Sequence, residues 1–269
     1  MRYRKGAISI NESRDIPLLL LIRDSRAITL QQLHCMLPIL NIETNRNSAY
    51  WRIRRLEQNG FIEQLKQTKT LGCPVYAITH EGLGLLEFKG YSLLSLGSFS
   101  RNVIHDSEVL HMTEINDIRL TLLKSGRLRK WKNELQVLSE NLAFYGETTK
   151  DYDAQVTVDT AKGPRSFGLE YERTAKSAAR YREIRKMIDE DLRSSFVLYL
   201  SPNQELMFLL AQELCAHQTQ VVFGLISHFH RDGIKMRVLV PGSRGNSLAV
   251  LEELLIANQD DQTEQTLST

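Results

Sequence analysis

The sequence predicts an α+β protein of two modules, and three observations predict it. Apolar residues recur at helical spacing as far as Gly60, alternate from Phe61, return to helical spacing over 103–124 and alternate again from Trp131. A chain of 269 residues has room for one large domain or two of ordinary size. Charge divides along the same line: residues 1–86 hold 12 Lys and Arg against 7 Asp and Glu, and the remainder holds 22 against 25. A basic first third on a nearly neutral chain points to a polyanionic partner for that third.

The elements follow in order. Residues 16–25 form a short apolar helix, and Thr29 caps a second one through Leu30, Leu33 and Leu37 until Pro38 stops it. A third starts at Thr44 and ends at Asn59, with Ala49, Ile53 and Leu56 as its apolar stripe and Gly60 as its stop. Residues 61–66 and 75–79 read as strands around a polar tip. The Ser- and Gly-rich stretch 87–102 reads as a connector, and Val109, Met112, Ile115, Leu120 and Leu123 mark the buried side of a long helix over 103–124. Beyond Trp131, strands are expected at 135–144, 153–160 and 166–172, then a helix at 174–192, a strand at 195–200, a helix at 204–217 and a strand at 221–228. The domains expected are therefore 1–88, a connector and long helix over 89–130, and 131–257, with a polar, acidic and disordered tail over 258–269.

The third helix carries the basic signal. With its apolar stripe turned inward, Arg46, Asn47, Tyr50 and Arg54 fall near one outward face, flanked by Arg52 and Arg55. Arg and Asn pair bidentately with guanine and adenine edges, and a major groove admits such a helix. Lys66 and Lys69, near the tip of the strand pair, are placed to meet phosphate, which positions a protein without reading sequence. Helix, helix, helix and hairpin, with Ser48 to Ile62 running from the third helix into the first strand, resembles a winged helix, a helix-turn-helix module of DNA-binding proteins.

A second signal lies at Tyr152-Asp153-Ala154 and at Phe167 to Lys176. Alternation puts Glu170 and Glu172 on one strand face, and Asp153 can share that face from the neighbouring strand. Converging carboxylates suit a hard divalent cation, so Asp153, Glu170 and Glu172 are candidate ligands for Mg²⁺ or Mn²⁺. Three strands, a helix and a further strand around these acids resemble a restriction-endonuclease-like domain of the PD-(D/E)XK type. Asp153 would match its aspartate and Glu170 its second acid. The pattern departs where Tyr152 replaces a proline and Glu172 stands where the lysine belongs. That lysine helps activate water, whereas a carboxylate there adds repulsion. Lys176, in the first turn of the next helix, could act from a shifted position, and Arg173 and Arg180 could neutralise the acids.

Together with His105 to His111, Asn116 to Arg119 and Tyr181, these motifs resemble the replication-relaxation family of plasmid and integrative-element proteins. The resemblance implies a DNA-binding regulatory or accessory protein in replication, mobilisation or transcriptional control with a nuclease-like domain, and Glu172 in the place of the lysine argues that this domain does not cleave. A metal-dependent endonuclease using Asp153, Glu170 and Lys176 is the alternative. Its partners would be duplex DNA, a second copy of the chain and other replication or transfer proteins of the element, with no membrane. Cys35, Cys73 and Cys215 form no CxxC pair, so a zinc knuckle and a disulfide framework are not indicated and a reducing cytoplasm fits. The apolar run from Pro17 to Ile22 is too short for a signal core or a membrane span. There is no phosphate-binding glycine loop and no GxSxG elbow. His228 and His230 would share a strand face beside a turn, a weak metal signal.

Overall fold

The structure, a computed structural model, describes residues 9–66, 71–91, 105–145, 150–191, 194–215, 219–242 and 245–258. It is a mixed α+β protein with two compact units, Met1–Leu120 and Thr121–Thr269. Lys69, most of the expected connector and the tail from residue 259 lie outside the described residues.

The first unit begins with α1 (Asp15–Ser25), whose leucines and isoleucines are almost all enclosed. A short strand, β1 (Ile28–Thr29), leads into α2 (Leu30–Ile39). Thr29 and Gln32 form a reciprocal capping box there, each side chain accepting from the other's backbone N–H at 3.0 and 3.1 Å. Pro38 sits within α2, which continues one residue past it, so the expected stop is off by a single position. Asn45, rather than Thr44, caps α3 (Arg46–Gln58) by accepting from the N–H groups of Asn47 and Ser48. Ala49, Ile53 and Leu56 are buried as their spacing predicts.

Gly60 turns the chain out of α3 at φ 78°, a conformation that favours glycine. The hairpin β2 (Ile62–Gln64) and β3 (Val75–Ile78) follows, with β1 on the far side of β3 to complete a three-stranded sheet. Strand β1 is not legible in the sequence because two residues carry no alternation. Next comes α4 (His80–Phe88), capped by Thr79. The first part of α5 (Asp106–Lys124) closes this unit, with Val109 and Met112 packing on Ala27 and Val75. Polar side chains fix that contact: Asn116 Nδ2 donates to Ala27 O at 2.8 Å, and Gln32 Nε2 donates to Thr113 O and Asp117 Oδ1, both at 2.7 Å.

The second unit is built on a seven-stranded sheet of order β10-β9-β8-β7-β6-β5-β4. Strands β4 (Leu128–Asn133), β5 (Ala154–Thr160) and β6 (Gly163–Tyr171) are an antiparallel run. Strand β6 is then parallel to β7 (Phe196–Ser201), and β7 to β8 (Gln220–Leu225), while β9 (Arg237–Val240) and β10 (Ser247–Val250) close the far edge antiparallel. Parallel neighbours require crossovers, supplied by α7 (Ala178–Glu190) and α8 (Gln204–Glu213). Their apolar sides cover one sheet face, where Tyr181, Ile184 and Ile188 of α7 and Leu206 and Leu210 of α8 pack with Tyr152, Val197, Tyr199 and Phe223. Strand β7, central and parallel, is buried at every position.

Residues 135–144, expected as a strand, are instead α6 (Glu134–Glu140) followed by a π-helical turn over Asn141–Tyr145. The capping box of Asn133 and Gln136 starts a helix that the spacing of Leu135 and Val137 disguised. The true first strand is β4, whose charged sequence LRKWKN befits an edge. Residues 226–228 belong to α9 (Ile226–Asp232), so His228 and His230, two apart on a helix, do not share a face. A last helix covers 251–258. No helix among the described residues is long and apolar enough to cross a membrane, and all three cysteines are free thiols.

Candidate functional site

Helix α3 presents two different sets of arginines. Arg46, Asn47, Tyr50 and Arg54 are exposed. Arg46 Nε donates to His34 Nδ1 at 3.2 Å, and His34 can accept because burial, then the Arg46 charge, lowers its pKa and keeps its ring neutral. The Arg54 guanidinium lies 5.8 Å over the Tyr50 ring. Lys66 is exposed just past β2.

Arg52 and Arg55 correct the expectation that they flank this face. Arg52 is buried and donates from Nη1 to Asp15 Oδ1 at 2.7 Å, with Glu43 3.5 Å from Nη2. Arg55 pairs with the other oxygen of Asp15 and donates to Ser9 O at 2.8 Å. Both therefore hold α3 to the chain before and within α1. Burial alone would raise the Asp15 pKa, but hydrogen bonds from Arg52, the Asn11 backbone N–H and Arg55 outweigh it and hold the carboxyl below its usual range. Trp51, outside the residues expected on this face, is 59% exposed with Arg55 5.1 Å above its ring. Its position off the apolar stripe was the available signal.

The acids meet at the end of β6 beside the start of β5, where Ala154 pairs with Leu169. Asp153 Oδ2 accepts from the Tyr171 N–H at 2.8 Å, which ties the two strands together. Glu170 is paired with Lys150, a residue the sequence reading did not single out because it precedes any regular element. Lys150 is itself enclosed: its ammonium donates to Asp151 O at 2.7 Å and lies 5.2 Å from the centre of the Tyr152 ring. Asn141, at the π-helical turn, anchors this segment by donating to Asp151 Oδ1 at 2.5 Å and Lys150 O at 3.3 Å. Lys176 reaches Glu172, its i−4 neighbour, rather than Glu170. Arg180 pairs with Glu183 at 2.9 Å on the exposed side of α7. Glu134 sits in the first turn of α6.

Burial pushes the Glu170 carboxyl up to about 7, with the nearby Asp153 charge adding to the rise and Lys150 and Lys176 opposing it. Beside it, Tyr199 occupies the paired position on β7, and its buried Oη has no hydrogen-bond partner among the described residues. Burial, then Glu170, drives that phenol well above its usual pKa, so it stays protonated.

The fit of this site to a divalent metal is strained by its cations. Glu170 and Glu172 each already hold an ammonium, and one oxygen of Asp153 is occupied by a backbone donor. Among the described residues, no group of three His, Cys, Asp or Glu side chains is disposed to hold an ion. Comparison with known proteins finds no matching family model, no similar characterised protein and no similar solved structure.

Proposed function

We propose that this chain is a DNA-binding regulatory or accessory protein of a mobile element, that residues 14–86 act as a winged helix on duplex DNA, and that the nuclease-like second unit does not cleave. One observation carries the DNA reading: α3 divides its arginines, turning Arg52 and Arg55 inward to Asp15 and leaving Arg46, Asn47, Tyr50 and Arg54 outward. A helix fixed by a buried ion network can present its remaining polar side chains rigidly to base edges. Lys66, past β2, then supports the reading as a phosphate contact at the wing. The mobile-element role rests on the sequence resemblance and extends to a second copy of the chain and to other replication or transfer proteins as partners.

A second reading, a metal-dependent endonuclease, is favoured by the meeting of Asp153 and Glu170 where β5 begins and β6 ends. The acids would hold the ion, which supplies Lewis acidity to a phosphodiester when bound. One experiment separates the two: the full chain is incubated with supercoiled, linear and single-stranded DNA, with and without Mg²⁺ or Mn²⁺, and scored for retention and for cuts. Salt-sensitive retention without cuts is expected. Cleavage lost in both Asp153→Ala and Glu170→Ala would replace the first reading with the second.

A further inference from the structure

The environment of Lys150 is built rather than incidental. A lysine normally extends into water, yet this one is buried with Glu170, the Asp151 carbonyl and the Tyr152 ring around its ammonium. Its backbone is held from the π-helical turn by Asn141. A buried carboxylate needs a compensating charge, and Glu170 has Asp153 as a like-charged neighbour besides. A single cation at this point answers both demands. A divalent ion drawn to the same oxygens would have to expel the ammonium or tolerate it at contact distance, and repulsion between the two opposes both.

We propose that the Lys150 ammonium is a built-in cation standing in the place of a divalent metal on the face of Asp153 and Glu170, and that removing it opens a site for Mg²⁺ or Mn²⁺. Lys150 is thus a positioning residue for the two acids. The inference rests on reading the second unit as non-cleaving and is independent of DNA docking by α3. A failure of DNA binding would leave it standing.

The test is Mn²⁺ binding by the full chain, followed by calorimetry and by thermal melting monitored with circular dichroism. Wild type should show no stoichiometric uptake and no shift in melting midpoint at millimolar Mn²⁺. Lys150→Met should take up one equivalent and melt at a higher temperature in its presence, because an ion bound only by the folded state stabilises it. The double variant Lys150→Met with Asp153→Asn should lose that uptake, while Lys150→Arg should behave as wild type. If Lys150→Met unfolds without metal, recovery of its fold on adding Mn²⁺ supports the proposal. Uptake by wild type that disappears in Asp153→Asn overturns it, as does a Lys150→Met protein that Mn²⁺ neither binds nor refolds.

Discussion

Arg52 on α3 donates to Asp15 on α1 at 2.7 Å across 37 positions of sequence, with the aspartate wholly enclosed and Arg55 on its other oxygen. Removing one member leaves buried charge unpaired, so Asp15→Ala should cost about 3–5 kcal/mol in urea unfolding. The pH dependence follows from a depressed carboxyl. The stabilisation is fully present above the unfolded-state carboxylate value and disappears as pH falls through the lower folded value. Acid titration of the melting midpoint should show this loss in wild type and not in Asp15→Ala.

The division of arginines on α3 predicts two separate phenotypes. Arg46→Glu with Arg54→Glu should abolish retention of duplex DNA while leaving the melting temperature within the range of a surface change. Arg46→Ala or Arg54→Ala alone should cost roughly 1–3 kcal/mol if it removes a base contact. Arg52→Ala should do the reverse, lowering stability first and DNA affinity only as the folded fraction falls. Anisotropy titrations across a salt series, paired with melts of each variant, check this, and unchanged binding in the double reversal would exclude α3 as the reader.

Two glycines on one helix provide a matched pair. A Cβ at Gly82 would lie 2.2 Å from Phe61 O and 2.7 Å from Ile78 Cγ1, whereas one at Gly84 meets nothing within 4 Å. Gly82→Ala should therefore destabilise by about 1–3 kcal/mol or more, since the opposing atom is backbone. Gly84→Ala should stabilise by about 0.5–1 kcal/mol through helix propensity and lost unfolded-state freedom. Denaturant midpoints of the two variants with opposite signs are the expected result.

Glu170 titrates in the opposite sense to Asp15. Its folded pKa is raised to about 7, so between the unfolded carboxylate value and neutrality the folded chain holds more protons than the unfolded one. Stability should decline as pH rises through that interval. Glu170→Gln should remove this part of the decline, and a carbon-detected NMR titration should place the Glu170 midpoint near neutrality. A midpoint in the ordinary carboxylate range would contradict the burial argument.

Much of this fold was legible because patterning and capping agree. Thr29 with Gln32, the stripe Ala49, Ile53 and Leu56, and the alternation of Ala154, Val156 and Val158 each act within a few residues, and each appears where its spacing puts it. The failures share a cause. Leu135 and Val137 have the two-residue spacing of a strand, and the Asn133 cap overrides it. Arg52 and Arg55 look like outward cations until Asp15 arrives from another helix. Lys150 has no periodic context, and its meaning comes from Glu170, twenty residues away in sequence. Local sequence carries element type; it does not carry which charge a distant segment will bury.

The amide of Asn116 reaches the carbonyls of Ser25 and Ala27 across about ninety residues, and Gln32 reaches Thr113 and Asp117 in the same way. During vectorial synthesis, the amino-terminal helices therefore emerge with the Ala27 and Val75 surface uncovered until α5 has also left the ribosome. A nascent chain stalled at residue 88 should be more protease-sensitive and more readily held by chaperones than one stalled after α5 has emerged. The anchors of α3, Asp15 and Glu43, lie in the chain before it, so what waits on α5 is the cover over Ala27 and Val75 and not the placing of α3.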